Sequence, residues 1–176
     1  MDQRDRFEAV VRAEAQKVFN LAYRLCGDRE RARDLAQETF FRAWRSFDRF
    51  EGRAAMFTYL YRITCNLWKN SLRRKGFYSL TENDSDGTAR AREIPVRAAD
   101  FSADLRREER NQIIQVALNN LEPAEKAIVV LRDIEGRSYE EITAVLGCRP
   151  GTVKSRLARA RRKLADKLAP HREALG

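Results

Sequence analysis

Residues 137–168 constrain the fold of this chain more than any other stretch. Ser138 and Glu141 have the S-x-x-E spacing of a capping box. In that motif a hydroxyl and a carboxylate satisfy two backbone N–H groups left unpaired at a helix start. Ile142, Val145 and Leu146 give the short helix that follows an apolar face. Gly147 marks its end, Cys148-Arg149-Pro150-Gly151 reads as a tight turn, and Thr152 reads as the cap of a longer helix. There Val153, Leu157, Ala160 and Leu164 recur at spacings of 4, 3 and 4, which puts them on one face. Two capped helices joined by a tight turn, each apolar on one side, make a helix-turn-helix.

The opposite side of the longer helix carries Lys154, Ser155, Ala158, Arg161 and Arg162, with Arg156 and Arg159 on its flanks. Small residues permit close approach, and Arg and Lys reach guanine edges or phosphates in a major groove. A solvated basic helix over a three-helix core would share the charge. It would not require the short capped helix, the turn and the segregated second helix together, so this segment is read as a contact with duplex DNA.

Helical spacing recurs almost everywhere else, with few prolines or glycines and no β-branched alternation. The expected fold is all-α. One stripe (Phe7, Val10, Val11, Val18, Leu21, Ala22, Leu25) predicts a first helix ending at Cys26-Gly27. Asp28 would cap a second helix over about 29–47, and a third would run from about Ala54 to Lys75 after a loop at 48–53. Residues 76–102 lose the apolar period and read as a flexible linker whose roughly 27 residues span about 90 Å when extended. Order resumes with a helix through Ile113, Ile114, Ala117 and Leu118, then one that Pro123 opens and Gly136 ends. The expected organisation is a helical domain at 1–75, the linker, and a helix-turn-helix domain at 103–176.

Charge follows the same division. Residues 1–75 carry 17 Lys/Arg and 10 Asp/Glu, and residues 137–176 carry 10 and 4. Segments 76–106 and 107–136 each carry 4 and 6. Two basic blocks around an acidic middle suit two separate contacts with a polyanion.

Other classes find little support. The charged N-terminus leads into no apolar run, so no signal peptide is expected, and no 18-residue apolar stretch suggests insertion in a membrane. Cys26, Cys65 and Cys148 form no CxxC pair, which fits buried thiols in a reducing cytoplasm. No metal-ligand spacing, phosphate loop or Ser/His/Asp set is visible, so neither an enzyme nor a cofactor is expected.

The second and third helices each carry a second face. On the second, Ala32, Leu35, Ala36, Thr39, Phe40, Ala43, Trp44 and Phe47 form the core stripe. Asp34, Gln37, Glu38, Phe41 and Arg45 lie opposite, where an aromatic ringed by polar groups suits a protein partner. On the third, Met56, Leu60, Ile63 and Leu67 look inward, and Tyr61 and Trp68 are read as core. Tyr59, Arg62, Asn66, Lys69 and Arg73 line another face, beside a loop holding Phe50, Gly52 and Arg53. Aromatic, amide and basic groups together suit unstacked bases and their phosphates.

These segments are similar to known ones. Asp34-Leu35-Ala36-Gln37-Glu38-Thr39-Phe40-Phe41-Arg42-Ala43-Trp44 resembles the second-region helix of bacterial sigma factors of the extracytoplasmic-function type, and Phe57 to Asn66 resembles their promoter-melting helix. Leu131 to Ile142 and Gly151 to Leu157 resemble their fourth region. The resemblance covers both blocks in order and leaves out the linker. It implies that Asp34, Gln37, Glu38 and Phe41 dock on the clamp coiled coil of the largest subunit of core RNA polymerase, with a further contact to the flap. It implies that Phe50, Gly52, Arg53, Arg62, Asn66, Lys69 and Arg73 hold the melted −10 element. Thr152, Lys154, Ser155, Arg156, Ala158, Arg159, Arg161 and Arg162 would read the −35 element. Such proteins act in the cytoplasm, commonly under an anti-sigma factor that is sometimes membrane-bound. Many relatives carry Trp at the position of Tyr59 and a bulky residue at Ala158. The large extra domains of housekeeping sigma factors are not expected.

A stand-alone helix-turn-helix regulator with an N-terminal dimerisation domain is the rival reading. It predicts a palindromic site bound without polymerase, and it leaves the Phe41 and Asn66 faces without a role.

Overall fold

The computed structural model describes residues 2–50, 55–79 and 101–175. All the regular structure among them is helical. Helix α1 (Gln3–Cys26) ends where Gly27 takes a φ of 72°, a left-handed cap that glycine adopts without strain. Asp28 caps α2 (Arg29–Arg45), accepting from the Arg31 N–H at 2.8 Å. A 3₁₀ turn, Phe47–Arg49, follows, so α2 stops two residues before the predicted end.

Helix α3 spans Met56–Ser79 and packs against both α1 and α2. It runs four residues past the expected Lys75, and α4 (Phe101–Asn119) begins two residues before the expected 103. Of the proposed linker, 80–100 lies outside the described residues.

Pro123 sits in the first turn of α5 (Pro123–Val129), as its missing N–H favours. The helix then widens into a π turn, Val130–Ile134, in which the Glu135 N–H reaches Val130 O at 2.9 Å. Gly136, at φ 66°, reverses the chain, and the Arg137 N–H returns to Leu131 O at 2.9 Å. Periodicity alone gives no warning of the π turn.

The capping box forms as expected at α6 (Tyr139–Leu146). Ser138 Oγ accepts from the Glu141 N–H at 3.1 Å, and Glu141 Oε2 accepts from the Ser138 N–H at 2.7 Å. Gly147 closes the helix at φ 64°. Helix α7 (Pro150–Leu168) differs from expectation at its start. Its N-cap is Arg149 and Pro150 is its first residue, so Thr152 lies inside the first turn and caps nothing. Proline supplies a helical φ and needs no donor there, which moves the start ahead of the threonine. A 3₁₀ turn (Ala169–His171) and α8 (Arg172–Leu175) complete the described chain.

The two blocks share one apolar cluster. Val18, Leu21, Leu25, Leu60 and Tyr61 join Ile128, Leu131, Ile142, Val153 and Leu157 in it. Helix α3 is the bridge, with α1 and α2 on it and α6 also packed against it. Trp44 departs from the predicted stripe. It is 39% exposed and leans on Phe7 at 5.1 Å between ring centroids. Phe7 in turn meets Phe47 at 5.1 Å, so Trp44 roofs an aromatic group at the edge of the bundle rather than its centre.

Candidate nucleic-acid and partner-binding interfaces

The first surface is the outer side of α2. Its inner side is pinned by buried Ala32, Thr39 and Ala43, and Thr39 Oγ1 lies 3.2 Å from Thr64 Oγ1 of α3. That fixes the rotation of the helix and turns Asp34, Gln37 and Phe41 to solvent. Phe41 is 56% exposed, and the Arg45 guanidinium sits 5.8 Å from its ring centroid. Glu38, half-buried, accepts from Arg42 Nε at 2.6 Å. The result is an apolar knob with acidic, amide and basic groups at its rim.

The second surface is one side of α3. Tyr61 and Trp68 are buried, as their reading as core requires. Arg62, Asn66 and Arg73 are exposed, and Lys69 is half-buried. The Phe50 ring lies tilted against Tyr59 at 5.1 Å between centroids, and the Tyr59 hydroxyl lies 2.5 Å from Ser46 Oγ, so both rings sit at the N-terminal end of this face. Gly52 and Arg53 lie outside the described residues. Cys65, on the inward side, is fully buried, and burial pushes its thiol up to about 12. It stays a neutral core group.

The third surface is α7. Val153, Leu157 and Ala160 are buried, which leaves Lys154, Ser155, Ala158, Arg159, Arg161 and Arg162 exposed, with Thr152 and Arg156 half-buried. Neighbouring residues set several of these side chains. Arg161 donates from Nε and Nη2 to the two Asp133 oxygens, at 3.0 and 2.5 Å. The Arg132 guanidinium lies 4.9 Å and the Lys154 ammonium 5.8 Å from the Tyr139 ring centroid. Arg132 is itself fixed, donating to the Arg137 carbonyl at 2.7 Å. Lys163 donates to Glu125 at 2.8 Å, and that bond holds the Glu125 carboxyl below its usual range. Sequence reading missed Asp133, Tyr139 and Arg132 as supports of this face. Asp133 stands 28 positions from Arg161 and Tyr139 stands 15 from Lys154, beyond any local pattern, and Arg132 acts on this face only through Tyr139.

Two family models match the chain: Sigma-70 region 2 over residues 10–78, and Sigma-70 region 4 over residues 111–164. The RNA polymerase sigma-H factor of Pseudomonas aeruginosa is 34% identical over 173 residues, covering 93% of this chain and 86% of that protein. The chain belongs to the sigma-70 family, among its extracytoplasmic-function members. The ECF RNA polymerase sigma factor SigE of Mycolicibacterium smegmatis is 40% identical over 170 residues, and the chain spans 62% of its length. Among solved structures, the sigma factor RpoE of Bartonella quintana, in complex with the anti-sigma factor NepR, has a TM-score of 0.73 at 27% identity. That likeness covers 93% of this chain and 96% of the other.

With region 2 and region 4 so placed, the α2 and α3 surfaces belong to region 2 and the α7 surface to region 4. Among the described residues no group of three or more His, Cys, Asp or Glu is placed to hold a metal, and no helix is long and apolar enough to cross a membrane.

Proposed function

We propose that the chain is an alternative sigma factor: it binds core RNA polymerase, directs it to promoters with particular −35 and −10 elements, and promotes strand opening. Asp34, Gln37, Glu38 and Phe41 form the polymerase-docking face on the clamp coiled coil, and region 4 meets the flap. Arg62, Asn66, Lys69 and Arg73, with Phe50, Gly52 and Arg53 from the adjoining loop, capture the melted −10 strand. Lys154, Ser155, Ala158 and Arg159, with Thr152, Arg156, Arg161 and Arg162 around them, read the −35 duplex. The observation that carries this reading is the exposed Phe41 face on the same module as the exposed Arg62–Asn66 face. A simple duplex-binding regulator needs neither.

The chemistry is positional. Extracting a base from the stack costs a few kcal/mol, which a pocket favouring the extruded base offsets in part. Docking both modules on one polymerase raises their effective concentration on DNA, so neither has to bind tightly alone. An anti-sigma factor fits as the controlling partner, since RpoE of Bartonella quintana was solved with one. The setting is the cytoplasm, with tethering at the inner membrane if that partner is membrane-bound.

The test is Asn66→Ala in the chain loaded on core polymerase, with permanganate reactivity of −10 thymines as the readout. The expected result is lost strand opening with core binding retained. Unchanged opening would remove Asn66 from the site.

A further inference from the structure

Between residues 154 and 163, α7 carries six cations: Lys154, Arg156, Arg159, Arg161, Arg162 and Lys163. Two of them meet carboxylates from α5 and the π turn that continues it. Asp133 accepts from Arg161 Nε at 3.0 Å and from Nη2 at 2.5 Å, and Glu125 accepts from Lys163 Nζ at 2.8 Å. Among the described residues no carboxylate is paired with Lys154, Arg156, Arg159 or Arg162. Yet Arg161 belongs to the reading face. Lys154, Ala158 and Arg161 recur at spacings of 4 and 3 on the exposed side of the helix. An acid thus stands inside a surface that a polyanion has to approach.

We infer that Asp133 is a specificity-determining residue for −35 recognition: it cancels the charge of Arg161 toward non-promoter duplex and leaves that guanidinium's end-on N–H groups for the correct site. The inference rests on the reading of α7 as the −35 contact. Charge is the first argument. Sequence-independent binding to duplex is driven by cations that displace counterions from phosphates. The Asp133–Arg161 pair is neutral, and its carboxylate repels a phosphate that approaches from the same side. Exposed ion pairs are commonly weak, but a planar guanidinium on both oxygens of one carboxylate is the geometry that holds.

Donor geometry is the second argument. An arginine has five N–H donors. Asp133 takes one from Nε and one from Nη2, on one side of the guanidinium. The remaining Nη1 and Nη2 hydrogens include the end-on fork that matches O6 and N7 of guanine. A side-on acid therefore leaves base reading open while it suppresses generic phosphate attraction. The third argument is how Asp133 reaches α7. It comes from the π turn Val130–Ile134, and π turns recur at functional sites. Arg132, from the same turn, lies 4.9 Å from the Tyr139 centroid, with Lys154 5.8 Å from that centroid on the other helix. One irregular turn sets groups against both Arg161 and the Tyr139–Lys154 contact.

The test follows the anisotropy of a fluorescein-labelled duplex of about 30 base pairs, of mixed non-promoter sequence, bound by the full chain at several salt concentrations. Asp133→Asn should bind about eightfold more tightly than wild type at about 0.1 M salt and about fourfold at about 0.2 M, the effect of one more released counterion at a slope of about 0.9. Adding Arg161→Gln should remove that gain. Both side chains are exposed, so neither substitution disturbs the core. Loaded on core polymerase, Asp133→Asn should need several-fold less of the same duplex, unlabelled, to halve transcript yield from genomic promoters. Weaker or unchanged duplex binding by Asp133→Asn overturns the inference. So does a gain that survives Arg161→Gln, which would come from the lost acid alone. Lys154→Ala separates this inference from the reading beneath it. If Lys154→Ala weakens duplex binding and Asp133→Asn does not strengthen it, α7 still touches DNA and only the role of Asp133 fails. If Lys154→Ala changes nothing, the α7 reading fails and the role of Asp133 falls with it.

Discussion

Lys126 gives a prediction whose size can be worked out. The residue is only 5% exposed, donates to Asn119 Oδ1 at 2.8 Å and lies 5.9 Å from the Trp68 centroid. Burial holds its ammonium down to about 8, from an ordinary 10.5. A lysine with a depressed value costs stability wherever the unfolded chain would keep the proton, and the cost shrinks as pH rises toward the unfolded value. At about 1.36 kcal/mol per unit, the cost is about 3 kcal/mol at pH 7, about 2 at pH 9 and under about 1 at pH 10. Lys126→Met keeps the stem and removes the charge, giving up a hydrogen bond of about 1 kcal/mol. The variant should therefore be more stable than wild type by about 2 kcal/mol at pH 7, with the advantage gone near pH 10. The assay is urea unfolding of both proteins at matched pH. Their difference is the quantity to follow, because Cys65 moves both proteins together. Its folded value, raised to about 12, makes each lose stability as pH climbs past the ordinary thiol value of 9.0. A variant less stable at pH 7, or a difference that ignores pH, would refute the reasoning.

Three further outcomes follow from the surfaces. Phe41→Ala should weaken core polymerase binding by about 2 kcal/mol or more, read by competition with another sigma factor, while thermal stability shifts by no more than about 0.5 kcal/mol. Lys154→Ala should lower duplex affinity of the polymerase-bound chain and reduce the slope of log K against log salt by about 1 if the contact is to phosphate, seen in a salt titration. Ser138→Ala removes one half of the capping box and should cost about 1 kcal/mol in a denaturant titration, with the α7 surface otherwise intact.

Much of this architecture was legible because it is local. Gly27, Asp28, Pro123, Gly136, the Ser138–Glu141 box and Gly147 each act within one helical turn, and each stands where the chain announces it. The apolar faces of α2 and α7 were equally readable, and so was the exposure of Phe41. Thr152 misled because two residues competed to start one helix, and Pro150, earlier in the chain, prevailed. Trp44 misled because spacing reports which side of a helix is apolar, while its depth depends on where the neighbouring helix ends. The junction of the modules left no trace. The bond from Arg62 to Ala144 spans 82 positions, and an arginine that grips a carbonyl looks the same in sequence as one that grips a phosphate. The charge map pointed to two separate basic contacts and gave no sign that the two blocks share one apolar cluster.

The central claim is that promoter choice belongs to the complex of this chain with polymerase and not to the chain alone. The direct measurement combines purified core polymerase, the full chain and fragmented genomic DNA from its source, and maps the 5′ ends of the RNA made. The account predicts discrete new start sites, with shared −35 and −10 sequences, only when core and chain are both present. Specific selection of DNA fragments by the chain without core, with no new start sites when core is added, would contradict it.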